Sequence, residues 1–133
     1  ILIITTKTGY ELFGEYTITP KKGKYIVEHH SSHLYKEFFS LKNAVVWSTL
    51  DKRNLISDAN RVLTLDIMIE GAVASMDLHR VLSEKSKNLD SKSIHITKFN
   101  EAKLKHESLE DEVSSYINET KRWQTKRFKQ AIK

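Results

Sequence analysis

Bulky and polar residues change their rhythm once along this chain, near residue 40. Before it they alternate in short runs broken by turn-forming residues; after it bulky residues recur at three- and four-residue steps. The first rhythm is that of β-strands and the second that of amphipathic helices. Ile1 to Thr5, Tyr10 to Phe13, Glu15 to Thr19, Lys24 to His29 and His33 to Phe39 read as strands. They are separated by Lys7-Thr8-Gly9, by Gly14, by Pro20-Lys21-Lys22-Gly23 and by Ser31-Ser32. Connections this short predict an antiparallel meander.

Ser40 is a favourable N-cap for a helix from Leu41 to about Lys52, with Leu41, Ala44, Val45 and Ser48 inward and Trp47 and Leu50 at the edges. Arg53-Asn54 breaks the chain before a second helix, Asn54 to Lys87. Val62, Leu65, Ile69, Ala72 and Met76 share one face of it, while Leu63, Ile67, Ala74, Leu78 and Val81 lie elsewhere on the circumference. A helix apolar around so much of its perimeter is expected to touch two neighbours. Gly71, in its middle, marks a close approach or a kink. Asn88 to Ser91 is the expected reversal, with Asp90, Ser91 or Ser93 capping a third helix. In that helix Phe99, Ala102, His106, Leu109, Val113, Tyr116, Thr120 and Trp123 fall in one seam. Two long amphipathic helices joined by a short link predict an antiparallel hairpin.

The expected fold is therefore α+β: a small N-terminal antiparallel β-meander with a packing helix, then a long antiparallel, coiled-coil-like α-helical hairpin. Residues 1–53 form the strand-rich head. Residues 54–133 form the hairpin packed on it, the whole being one cooperative unit.

A chain of 133 residues is one domain's worth, and its 39% hydrophobic and 29% charged residues suit an elongated molecule with much surface. It has no cysteine, which excludes disulfides, thiolate metal sites and cysteine nucleophiles. No apolar run is long enough to span a membrane. A formal charge of +5 directs attention to acidic partners.

Candidate chemistry is sparse. His29, His30 and His33 have the close spacing of imidazole metal ligands, although a polar turn explains them more simply. A hairpin turning near Asp90 puts His79 opposite residues near Phe99, so no histidine pair with His106 is expected across the helices. Lys21, Lys22 and Lys24 in one turn, and Lys121, Arg122, Lys126, Arg127 and Lys129 near the end, are candidate nucleic-acid contacts. The helix dipole alone also favours cations at a helix C-terminus. Leu109, Val113, Tyr116, Trp123 and Phe128 are the candidate protein-interaction surface. No Gly-rich phosphate loop, nucleophile elbow or paired carboxylate is legible, so neither an enzyme nor a cofactor is expected.

Two resemblances add to this. KGKYIVEHH leading to FFSLKNAVVWSTLD resembles the three-stranded-sheet-plus-helix DNA-binding domains of ethylene-response-factor and integrase-arm type, in which the sheet enters the major groove. Those domains read bases through strand arginines, whereas here the strands carry Lys21, Lys22, Lys24 and Lys36. FSLKNAVVW, ANRVLTLD and YINETKRWQTKRF are similar to small proteins of marine bacteriophages and ocean metagenomes, which implies a phage origin and a place in the virion or host cytoplasm. The expectation is a non-enzymatic structural or assembly protein that binds a protein partner or itself through the hairpin. The alternative is a DNA- or RNA-binding module.

Overall fold

The computed structural model describes residues 3–119. The fold is α+β, an antiparallel sheet followed by helices. Five strands, β1 (Ile3–Thr5), β2 (Tyr10–Leu12), β3 (Tyr16–Lys21), β4 (Lys24–His29) and β5 (Tyr35–Phe38), pair in chain order as a meander. Three helices follow: α1 (Leu41–Lys52), α2 (Ile56–Lys85) and α3 (Leu89–Glu119). The chain forms two compact units. Among the described residues, one holds 3–66 and 113–119; the other is 67–112.

In the first unit the pleat sorts side chains by face. Leu12 is opposite Tyr16 and Ile18 opposite Val27, so these side chains share the face that Ile3 and Phe38 also occupy. All six are buried. Glu11, Thr17, Glu28 and Tyr35 line up on the other face. Lys22 and Gly23 both have positive φ, giving the two-residue turn whose twist suits a hairpin. The strands therefore run closer to the turn than the sequence pattern suggests, and Pro20 lies inside β3. It sits beyond the stretch of β3 that β2 pairs, where a missing N–H breaks no ladder bond.

Helix α1 starts as expected, with the Ser40 hydroxyl accepting the Asn43 N–H at 3.1 Å. It ends in a Schellman motif. Asn54 takes φ 60°, its N–H donates to the Asp51 carbonyl, and the Leu55 N–H reaches back to the Leu50 carbonyl. The one-sided burial expected of α1 is not what forms: every residue from Asn43 to Leu50 is buried. The sheet lies on one side of it, and the Asn43 amide donates to Asp66 of α2 at 2.9 Å. Its polar residues Ser48 and Thr49 turn their hydroxyls onto the Ala44 and Val45 carbonyls, as burial requires. Ala59, Val62 and Leu65 of α2 and Val113 of α3 are buried in the same unit.

In the second unit α2 and α3 form the antiparallel hairpin. Its cap differs from expectation, because the Asn88 side chain accepts from the Asp90 N–H at 2.8 Å and starts α3 earlier than Asp90, Ser91 or Ser93 would. Gly71 produces neither a break in α2 nor a close approach: a Cβ there meets nothing within 4 Å.

Two stability measurements follow. Gly71→Ala is expected to raise the unfolding free energy by about 0.5–1 kcal/mol in urea titration, since it removes backbone entropy from the unfolded chain and strains nothing. Asp66→Ala is expected to lower it by about 3 kcal/mol, because the Asn43 amide and the Phe39 N–H lose a charged acceptor in a buried setting.

Candidate functional site

The second unit carries more exposed aliphatic surface than its fold needs. Along α2 the seam residues Ile69 and Ala72 are buried. Ile67, Ala74, Leu78 and Val81 follow at seven-, four- and three-residue steps, about 180° round the helix from that seam. Their exposures are 62% for Ile67, 54% for Leu78 and 37% for Val81, so the stripe faces solvent. It runs for about 21 Å along the helix. Glu70, Asp77 and Glu84, spaced seven apart, form a row along one side of it. Asp77 meets only Arg80, at 3.9 Å and exposed; Glu70 and Glu84 have no ion pair among the described residues. An apolar stripe with a charged row beside it is the pattern by which one helix takes another. On α3, Leu89, Ile96 and Leu104 are also exposed and lie within about 80° of one another round the helix, with Ile94 apart from them, but they have no acidic row of seven-residue spacing like that beside the α2 stripe.

The residues singled out for interaction lie elsewhere. Leu109 and Val113 are buried, so they cannot offer a surface, and Tyr116 is half-buried. Trp123 and Phe128 lie outside the described residues, as do Lys121, Arg122, Lys126, Arg127 and Lys129. The seam periodicity of α3 was legible, but periodicity alone does not distinguish a stripe that is covered from one that is free. The α2 stripe was visible as the second apolar set on that helix.

The basic turn is in place. Lys21, Lys22, Lys24, Tyr35 and Glu37 surround Ile26 in a shallow groove of about 190 Å³ on the outer face of the sheet. Lys24 is already engaged, 3.8 Å from Glu37 and 5.5 Å from the centre of the Phe39 ring. Glu11, Glu28 and Glu37 share this face with the lysines, which offsets its positive potential.

The three neighbouring histidines separate. Nε2 of His29 faces Glu15 at 3.4 Å while its Nδ1 accepts the Ser31 N–H at 3.2 Å, so a neutral ring protonated on Nε2 satisfies both. His30 bonds Thr17 at 2.7 Å, and His33 is exposed. No cluster of three or more metal-ligating side chains occurs among the described residues.

A polar network does form where β3 meets the end of α1. Glu15 pairs with both Lys52 and His29, and these contacts hold its carboxyl below the ordinary range, the Lys52 hydrogen bond first. The Tyr16 hydroxyl donates to Asp51 at 2.5 Å, and the His29 ring packs edge-on against the Tyr16 ring with centres 4.9 Å apart. Burial first, then the Asp51 carboxylate, pushes the Tyr16 phenol well above its usual range.

His79 was expected opposite residues near Phe99; instead it meets His95, their Nδ1 atoms 3.0 Å apart. The hairpin reverses near Ser86 to Asn88, earlier than Asp90, and this shifts the partner of His79 by one helical turn, from Phe99 to His95. Extending the α3 seam one step before Phe99 reaches His95, which is the signal that could have found it.

No helix among the described residues is long and apolar enough to cross a membrane. The chain matches no protein-family model, no curated protein and no solved structure.

A pH measurement tests the Tyr16 contact. The folded chain holds the phenol neutral, whereas the unfolded chain ionises it at about pH 10. Its contribution is therefore fully present below about pH 10 and is lost as the pH rises beyond that. Urea midpoints taken from pH 8 to 11 are expected to fall more steeply in the wild type than in Tyr16→Phe, which also loses about 1 kcal/mol at neutral pH.

Proposed function

We propose that this chain is a non-enzymatic assembly or adaptor protein whose working surface is the outward stripe of α2. The observation that carries the reading is the stripe Ile67, Ala74, Leu78 and Val81 with the acidic row Glu70, Asp77 and Glu84 beside it. The partner it suits is an amphipathic protein helix with basic flanks: aliphatic side chains supply the attraction and the acids select the partner's charge. A second copy of this chain is the first occupant to consider, because its residues 121–129 combine Trp123 and Phe128 with lysines and arginines. A phage origin, expected from FSLKNAVVW, ANRVLTLD and YINETKRWQTKRF, is part of this proposal and would put the protein in a virus particle.

The nucleic-acid reading rests on Lys21, Lys22 and Lys24 and on basic residues outside the described range. It draws less support, because acids interleave with the lysines on the outer face of the sheet.

Sedimentation of the wild type and of a Ile67→Glu/Leu78→Glu double variant, with and without added duplex DNA, separates the readings. The proposal expects concentration-dependent association of the wild type, at least tenfold weaker in the variant, with circular dichroism unchanged. A wild type that remains monomeric at high concentration but binds duplex with a steep salt dependence supports the nucleic-acid reading instead.

A further inference from the structure

The cross-helix histidine pair lies on the face of α2 opposite the stripe and has no role in the docking just proposed. His79 of α2 and His95 of α3 are both half-buried, in a part of the hairpin where neither ring meets any other hydrogen-bond partner among the described residues. Their ring planes are 25° apart and their centres 5.2 Å apart. Each Nδ1 stands one ring radius from its own centre. A 3.0 Å contact between the two nitrogens can therefore span 5.2 Å between centres only if both lie close to the line that joins them. The rings meet edge to edge, not face to face, and the two Nδ1 lone-pair directions point at one another.

Two nitrogens aimed head-on have two ways to be satisfied. One is the hydrogen bond present here, in which one ring donates from Nδ1 and the other accepts. The other is a cation that takes two ligands in line. A divalent ion such as Zn²⁺ prefers four ligands in a tetrahedron, and the pair supplies two pointing in opposite senses. A soft monovalent d¹⁰ ion, Cu⁺ or Ag⁺, favours linear two-coordination by imidazole. With bonds of about 2 Å on each side, it requires the nitrogens to separate by about 1 Å more than they do now. Both rings are half-exposed, so rotamer adjustment can provide that opening. The groove of about 490 Å³ that His79 borders carries Lys98 and Lys105 against Glu101, a net single positive charge, but all three side chains are exposed, so water screens them from an ion at the pair.

We infer that His79 and His95 form a linear two-imidazole site for a soft monovalent transition-metal ion, bound through both Nδ1 atoms across the hairpin. Proton bookkeeping is simple. Before binding, one ring carries its proton on Nδ1 and the other on Nε2; after binding, both carry it on Nε2. The first ring's proton passes through water from Nδ1 to Nε2, and neutral imidazoles ligate without net proton release. Bridging α2 to α3, the ion also staples the hairpin, since it binds the folded pairing and not the open chain.

Silver nitrate in chloride-free buffer is a suitable probe, because Ag⁺ needs no reductant and the chain has no cysteine to compete for it. Native mass spectrometry of the full chain should show one tightly held Ag⁺. Its affinity should drop at least tenfold in His79→Gln and equally in His95→Gln, and should be unaffected by His30→Gln/His33→Gln. Should a variant lose helicity, ¹⁵N spectra of wild-type imidazoles decide: Ag⁺ should shift Nδ1 of His79 and His95 together and leave both Nε2 protonated. Silver affinity unchanged in His95→Gln, a response at Nε2 instead, or Zn²⁺ held at the pair as tightly as Ag⁺ would each overturn the assignment.

Discussion

The first unit depends on one buried carboxylate. Asp66, 1% exposed, accepts the Phe39 N–H through both oxygens at 3.2 and 3.0 Å and the Asn43 amide at 2.9 Å. Phe39 leads out of β5 and Asn43 belongs to the first turn of α1, so a single side chain of α2 joins three consecutive elements at one point. The N-terminus of α1 is where a negative charge gains from the helix dipole as well as from donors. A buried charge is tolerated only when its oxygens are satisfied, and this geometry leaves little freedom in the register of α2 against α1. The cost is visible nearby, where Asn43 directs its nitrogen to Asp66 and its buried Oδ1 has no partner among the described residues.

Val62 and Leu65 point into the core of the first unit, and the helix continues unbroken past Gly71. Within the second unit, Ile69 and Ala72 are buried while Ile67, Leu78 and Val81 face water. Small residues at Ala72 and Ala102 hold the seam, while the larger Ile67 and Leu78 fall outside. Burying an aliphatic side chain of that size on docking contributes about 1.5–3 kcal/mol before the cost of association. The acidic row adds little affinity in water but penalises an acidic partner, which is how a helical surface acquires selectivity.

Much of this was legible from residue order because local rules decided it. Alternation in Glu15 to Thr19, the Ser40 cap and the Asn54 stop each depend on a few neighbouring residues, and each appears where the pattern puts it. What was not legible depends on partners distant in sequence. Asp66 reads as one more polar residue on a helix until Phe39 and Asn43 are seen against it. The complete burial of α1 depends on what covers its second side, and nothing within Leu41 to Lys52 encodes that. The His79–His95 pair turned on the position of the reversal. Asn88 and Asp90 are both good caps, and choosing between them displaces every cross-helix neighbour by a helical turn. Leu109 and Val113 belonged to a true seam, but a seam is a surface only where the fold leaves it uncovered.

We propose that the apolar stripe of α2 selects a basic amphipathic helix. Calorimetric titration with two synthetic helices of identical apolar face, one flanked by lysines and the other by glutamates, tests it most directly. Measurable binding of the lysine-flanked helix, weakened by salt, is expected, with at least tenfold weaker binding of its glutamate-flanked counterpart. Equal affinity for both, or binding of neither, would contradict it.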